Sequence, residues 1–279
     1  MTITTNMDKK LIICSGDSYV AGDELAADLL IPEYTTNLYP LMGMPKDAEK
    51  LRNQIQTAEN KLSANEYNEY WKQCKARAWP AYLNKISGIP VSNVGRRGIS
   101  NQEISHRAVE EFYNQMAQGV DPKSIVVLMM LTSPNRFGAP QHHPDYGGEF
   151  EYQSFMIGYE LVPKSIKHYC ERIINDFDDY DLLWFSYSHI VAAKHHIEFL
   201  GGSVYFLDSC LWWWYFETYK HESKKTRHHS IYKSIELLHA MGPLAFSVPG
   251  AANLPGGHYN EIVHEYFAKE LYARLLLLK

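Results

Sequence analysis

The sequence is short of several things, and each shortage removes a class of function. It has four cysteines, Cys14, Cys74, Cys170 and Cys210, far apart and never in a Cys-x-x-Cys pair. That spacing excludes a zinc knuckle or a redox-active dithiol and leads one to expect buried free thiols. No apolar run reaches the roughly 18 residues that a membrane-spanning helix requires. The opening segment MTITTNMDKKLIIC has four apolar residues between Lys10 and Ser15, too few for the core of a secretion signal. A cytoplasmic protein, or one on a particle assembled in the cytoplasm, is expected, with no membrane partner. Positive charge is also scarce: 27 Lys and Arg stand against 32 Asp and Glu, for a formal charge of -5. Nucleic acid is therefore excluded as the main partner on general electrostatic grounds. No repeat, low-complexity tract or linker divides the chain, so its 279 residues are expected to form a single domain over 1–279.

What the chain has in excess is aromatic side chains, 13% of all residues, which need either a core or a flat ligand. Short β-branched or apolar runs at 11–14, 90–94, 124–131, 182–187 and 203–207 alternate with helical patterns. That alternation predicts an α/β fold with a parallel sheet of about five strands covered by helices on both faces. Ser100 followed three residues later by Glu103, a capping box, with Gly119 as a stop, marks a helix. A second helix is predicted from about Lys46, with Leu51, Ile55, Ala58 and Leu62 in register, and Ser63 with Glu66 opens a third. The final helix follows Asn260, with Ile262, Tyr266, Phe267 and Leu271 assigned to one side. Three connections exceed a minimal βαβ unit: 23–78, read as a helical insertion, and 136–162 and 209–257, read as loops on the substrate side.

In an open parallel sheet, ligands gather at the carboxyl ends of the strands. Gly16-Asp17-Ser18-Tyr19 follows the first strand and puts a serine where a helix would begin, so that helix N–H groups and dipole favour developing negative charge. Asn93-Val94-Gly95-Arg96-Arg97-Gly98-Ile99-Ser100-Asn101 follows the second, with glycines that allow backbone N–H groups close to a substrate. Thr132-Ser133-Pro134-Asn135-Arg136 follows the third and offers an amide donor. Pro255-Gly256-Gly257-His258-Tyr259-Asn260 precedes the last helix and offers a general base.

Together these blocks, in this order along nearly the whole chain, resemble the SGNH (GDSL-type) hydrolase family. The resemblance implies a three-layer α/β/α, flavodoxin-like fold and ester hydrolysis. It implies Ser18 as the nucleophile, the Ser18 N–H, Gly98 and Asn135 as oxyanion donors with Arg136 beside them, and His258 as the base. The SPNR block and the AWPAYL segment also look similar to some short phage-encoded members, which implies a viral source. One position departs from the family: the acid expected three residues before the histidine is Pro255. A triad acid orients the imidazole and stabilises its cation, so another group must meet Nδ1. Asn253, a backbone carbonyl in 254–257 and Asp208 are the candidates, with Asp208 favoured for its charge and its place at a strand end.

The remaining features have plainer readings. Thirteen histidines include the pairs His142/His143, His195/His196 and His228/His229, but adjacent residues diverge and none has ligand spacing. No metal and no cofactor is expected; His142 or His143 could line the cleft, and His264 is read as structural. The aromatic run containing Trp212, Trp213 and Trp214 is assigned to a core or to a wall that stacks on a sugar. Arg96, Arg97 and Arg136 could meet an anionic substrate group, and the Lys224 to His229 run reads as a solvated face. The expected activity is therefore a serine esterase that removes a small acyl group, acetyl on a carbohydrate being preferred. Two other classes stay open: a non-catalytic glycan-binding or particle protein on the same fold, and an acyltransferase using the same residues. A metal-dependent hydrolase ranks below both. The sequence leaves the oligomeric state open.

Overall fold

The computed structural model describes residues 11–36, 38–39, 46–133, 136–142, 150–156, 179–209, 235, 237–255 and 257–278; of 46–47, 137–142, 150–156 and 179–182 it describes the backbone alone. The strands are β1 (Leu11–Gly16), β2 (Val91–Asn93), β3 (Ile125–Leu131), β4 (Arg136–His142), β5 (Phe150–Met156), β6 (Ser203–Asp208) and β7 (Leu237–Ala240). The helices are α1 (Ser18–Ala21), α2 (Lys46–Glu59), α3 (Ala64–Arg77), α4 (Trp79–Ser87), α5 (Asn101–Ala117), α6 (Asp179–Phe199), α7 (Met241–Ala245) and α8 (Glu261–Leu277). Five strands form a parallel sheet in the order β2-β1-β3-β6-β7, while β4 and β5 pair as a separate antiparallel ribbon. Counted within the sheet alone, that is the doubly wound 2-1-3-4-5 order of flavodoxin-like folds.

The layers follow from the two-residue period of a strand. Ile13, Val127, Met129 and Phe206 point to one face, where α5 and α6 supply Ile104, Ala108, Phe112, Ile190 and Ile197. Ile12, Cys14, Leu128 and Met130 point to the other, against Trp79 and Leu83 of α4, Met241 of α7, and Val263, Phe267 and Leu271 of α8. Both faces of β1 and β3 are covered, so these strands read as continuous apolar runs rather than alternating ones. The three-layer α/β fold expected from the sequence is therefore present. Among the described residues, no helix is long and apolar enough to cross a membrane.

Local signals were read correctly where they were strong. Ser63 and Glu66 cap α3 reciprocally. Ser100 Oγ accepts the Glu103 N–H at the start of α5, while the Glu103 carboxylate takes the Arg107 Nε–H at 3.0 Å instead of turning back to the cap. Cys14 and Cys74 are buried free thiols; Cys170 and Cys210 lie outside the described residues. Part of the aromatic excess fills the insertion: Tyr34 packs with Leu25, Ile55 and Leu254, and Tyr70 and Trp71 with Cys74. The Trp212 to Trp214 run, His143 and the pair His228/His229 lie outside the described residues.

Three expectations are corrected. Residues 182–187 are not a strand; they lie inside the 21-residue helix α6. Leu183, Ser186, Ile190, Ala193 and Ile197 are buried at helical spacing, so burial on one helix face outweighs the local β preference of LLWFSY. The fifth strand of the sheet is instead β7, four residues long within the third long connection, too short to leave a periodic signal. On α8 the buried stripe is Val263, His264, Phe267, Ala268, Leu271 and Leu275, whereas Ile262 and Tyr266 face solvent. The connection 136–162 holds the β4–β5 ribbon.

Candidate active site

The strand order places a topological switch between β1 and β3, because the chain leaves β1 toward β2 and returns on the other side to β3. The crevice at such a switch is the ligand position in open α/β sheets. Ser18 lies there, as the first residue of α1 immediately after β1. Asp17 caps the turn by accepting the Tyr19 N–H on Oδ1 at 3.2 Å. Helix α1 is a single turn ended by Gly22, so the expected dipole contribution is small and the individual N–H groups matter more. Among the described residues, the Ser18 N–H is given to no acceptor, since the Tyr19, Val20 and Ala21 N–H groups are the ones that satisfy Asp17.

The turn after β2 comes to the same place. The Arg96 N–H donates to the Gly16 carbonyl at 3.1 Å, and a Cβ on Gly95 would lie 2.7–2.8 Å from Val20 and the Ala21 nitrogen. Glycine at 95 is therefore what lets this turn close on α1. Gly98 has φ +74 with open space where a side chain would stand. Asn135 lies outside the described residues. Arg136, at the head of β4, donates Nη1–H to the Ile99 carbonyl (3.4 Å) and lies 3.9 Å from Asp17 Oδ2, so its charge is directed at Asp17. Burial pushes Asp17 up, opposed by Arg136, the Tyr19 N–H, the Thr132 hydroxyl and His258. Asp17 was not singled out from the sequence, where it reads only as part of the GDS block.

His258 closes the site from the C-terminal side. The hydrogen bonds Leu254 N–H to His258 O (2.7 Å) and Gly257 N–H to Leu254 O (2.9 Å) fold its loop, and Tyr39 and Asn253 exchange backbone bonds that pin the loop to the insertion. The ring sits edge-on to Tyr19, the neighbour of Ser18, with centroids 5.2 Å apart. Its Nδ1 meets Glu24 Oε2 at 2.9 Å, and its Nε2 lies 3.7 Å from Asp23 Oδ2. The group at Nδ1 is therefore Glu24, not Asp208, Asn253 or a carbonyl of 254–257. Asp208 is fully buried at the end of β6, in register with Leu131 and Ala240, while the charges that chiefly set His258 are Asp23, Glu24 and Arg97.

Glu24 carries a sign of its role in the backbone. Among the described residues it is the one non-glycine with positive φ, at 69°. Such a conformation costs on the order of 1–2 kcal/mol for an L-residue and persists where surrounding contacts impose it. Here Tyr34, fully buried, donates Oη–H to Glu24 Oε1 at 2.5 Å while His258 takes the other oxygen. Burial alone would raise Glu24, but the His258 charge, the His258 and Tyr34 hydrogen bonds and Arg97 hold it below the usual carboxylate range. Burial alone would lower His258; Asp23 and Glu24 reverse that and raise it. Asp23 is pushed up to about 6, chiefly by burial, against the pull of His258 and Arg97.

Arg97 is paired within this cluster, with Nε 3.0 Å from Asp23 Oδ2 and Nη1 2.7 Å from Glu59 Oε2. Arg96 is the more exposed of the two and lies 3.8 Å from Glu103. His264 is structural: its Nδ1 accepts the Trp79 N–H at 3.2 Å in the core. His196 contacts the Tyr113 hydroxyl at 2.7 Å. Among the described residues, no group of three or more His, Cys, Asp or Glu side chains is placed to hold a metal ion. A groove of about 1030 Å³ lies between the 30–33 turn and α2, lined by Leu30, Ile31, Asn53 and Leu62 among others; neither Ser18 nor His258 lines it.

Comparison with known proteins adds little to this geometry. No protein-family model matches the chain, and no curated protein matches it. Among solved structures, a protein from Desulfitobacterium hafniense DCB-2, provisionally described as a lipolytic protein of the G-D-S-L family, is 12% identical over 96% of this chain and 99% of that chain, with a TM-score of 0.38. A superposition that loose transfers no residue, and the fold class stands on the strand order. None of these comparisons bears on a viral source.

Proposed function

We propose that this chain is a serine esterase of the SGNH type, with Ser18 as nucleophile, His258 as base and Glu24 as the carboxylate that orients the base. The observation that carries the reading is the Glu24 to His258 Nδ1 contact of 2.9 Å on a ring packed against Tyr19, beside a serine at the switch point of the sheet. A carboxylate on Nδ1 fixes the tautomer with Nε2 as the acceptor and stabilises the cation once Nε2 is protonated.

In the proposed reaction, Ser18 Oγ attacks the ester carbonyl and its proton passes to His258 Nε2. The oxyanion is met by the N–H groups of Ser18 and Gly98 and, as the family resemblance implies, by Asn135; each such donor is worth about 10²–10³ in rate. Collapse breaks the ester C–O bond, and the alcohol leaves with the proton from Nε2. Water then attacks the acyl-serine, giving its proton to the same nitrogen, and the acid is released as Ser18 Oγ recovers that proton. A small acyl group such as acetyl on a carbohydrate is the proposed substrate; transfer to an acceptor other than water would use the same residues.

One observation favours the rival reading of a binding module: no Ser18 Oγ to His258 hydrogen bond is formed, and Nε2 faces Asp23 at 3.7 Å. Catalytic hydrogen bonds in ligand-free enzymes are often long and tighten with substrate. Labelling with a fluorophosphonate, together with hydrolysis of a short-chain nitrophenyl ester, separates the two. The esterase labels on Ser18, and Ser18→Ala loses labelling and at least about 10⁴-fold in kcat. Absence of labelling together with equal rates for the two proteins assigns the cleft to binding.

A further inference from the structure

The cluster around His258 holds more carboxylate than a triad uses. Asp23 is 1% exposed, its Oδ2 lies between Arg97 Nε (3.0 Å) and His258 Nε2 (3.7 Å), and its Oδ1 is buried with no hydrogen-bond partner. Asp23 and Glu24 are consecutive, yet they meet opposite edges of one ring, an arrangement accompanied by the left-handed turn at Glu24. We propose that Asp23 is a second positioning carboxylate, which pairs with Nε2–H of the protonated ring while Glu24 holds Nδ1–H, so that His258 becomes a base for Ser18 only after Asp23 gives up that pairing. The inference rests on reading His258 as the base.

The surroundings make this the balance that matters. Tyr19 of α1 packs against the ring; Asp17 from the β1–α1 turn, Arg97 from the turn after β2 and His264 from α8 interact with it electrostatically, while Tyr34 holds Glu24 and Glu59 of α2 lies behind Arg97. Three buried carboxylates, Asp23, Glu24 and Glu59, share two cations, Arg97 and protonated His258. Losing the ring's proton leaves Arg97 as the one cation among them, so the negative cluster resists that loss. A ring protonated in this setting has no lone pair on Nε2 for the serine. In the reaction the same carboxylate stabilises the imidazolium formed when Ser18 attacks. Removing its charge releases the base at lower pH and weakens the loaded transition state.

The test follows kcat/KM against pH for the wild type and Asp23→Asn, alongside the ¹⁵N signals of the His258 ring. The expected result is an acid limb and a ring titration that both move to lower pH in Asp23→Asn. Activity near pH 6, taken relative to each plateau, should rise at least about threefold while the plateau kcat falls by roughly tenfold. A limb and titration that stay in place in a folded variant overturn the proposal. If the ring titration moves and neither protein hydrolyses esters, the pairing stands and the esterase reading alone fails. Should Asp23→Asn not fold, the wild type decides: the Asp23 carboxyl ¹³C signal must show an inflection where the His258 ring titrates, and a curve without one overturns the pairing.

Discussion

Two histidines six residues apart, His258 in the loop before α8 and His264 inside it, end up in opposite protonation regimes. The His258 ring is 18% exposed and lies between two buried carboxylates, which raise it. His264 is 1% exposed, has the Trp79 N–H on Nδ1, and is lowered to about 3, first by burial and then by the charge on His258. Burial penalises the cation in both places, and only a partner of opposite charge reverses it. What separates a candidate base from a core histidine is therefore the company each keeps, supplied at His258 by a segment more than two hundred residues earlier in the chain.

The strongest way to break this contrast is to take away the charge on Nδ1. Glu24→Gln preserves shape but holds the ring without a counter-charge, and kcat for a short-chain ester should fall by about 10⁴. Glu24→Asp should recover part of that loss, because it restores the charge at a shorter reach. A fall of less than tenfold in Glu24→Gln, with the ring titration unchanged, would show that Glu24 is not the orienting group.

The next test concerns stability against pH, where the two histidines must slope in opposite directions. His264 is neutral in the folded protein down to about pH 3, whereas the unfolded ring takes a proton near pH 6.5. Its contribution is present above about 6.5 and is lost as pH falls toward about 3, at up to about 1.4 kcal/mol per unit. His258 is raised, so its contribution is present below about 6.5 and is lost as pH rises through the folded value. Asp23, raised to about 6, also titrates in this range, so the His264 contribution is read as the difference between wild type and His264→Leu. That variant should flatten the slope below about pH 6.5 while costing roughly 1–3 kcal/mol at pH 8, where the Trp79 N–H loses its acceptor. Parallel urea-unfolding curves for the two proteins from about pH 4 to 7 would refute the assignment.

The smallest effect sharpens the account of Glu24. Tyr34→Phe removes the hydrogen bond to Oε1 but leaves His258 in place. Stability should fall by about 1 kcal/mol and kcat by no more than about tenfold. A loss as large as that of Glu24→Gln would transfer the orienting role to the tyrosine.

Legibility in the sequence tracked how local each cause is. The capping box at Ser63, the Ser100 half of the one expected at α5, the glycine turn after β2 and the runs that became β1, β3 and β6 depend on neighbours within a few residues, and they were read correctly. Helix α6 was misread because LLWFSY carries β-type residues while its burial pattern becomes visible only over the longer stretch that ends at Phe199. Strand β7 was missed because four residues hold too little periodicity. At the candidate site, Ser18, Gly98 and His258 were singled out by their positions at chain turns, and the structure brings the Ser18 and His258 segments together through the contact of the His258 ring with Tyr19. Glu24 was not among the groups considered for His258 Nδ1, since the segment from 23 reads as an insertion. A signal existed in retrospect: Asp23-Glu24 is an acidic pair directly after Gly22, where a left-handed turn was foreseeable.

By itself, then, the sequence determined the three-layer α/β class, the serine at the first strand-to-helix turn, the histidine before the last helix, and the absence of a carboxylate at position 255. Those properties arise from hydrophobic period, capping and turn chemistry, which act along the chain. Only the tertiary structure decided which acid meets the histidine, that Arg97 is held by carboxylates, and that Arg136 is aimed at Asp17. Each of those outcomes is an electrostatic balance among buried groups from distant segments, and burial in common, which no spacing encodes, is what gives such charges their strength.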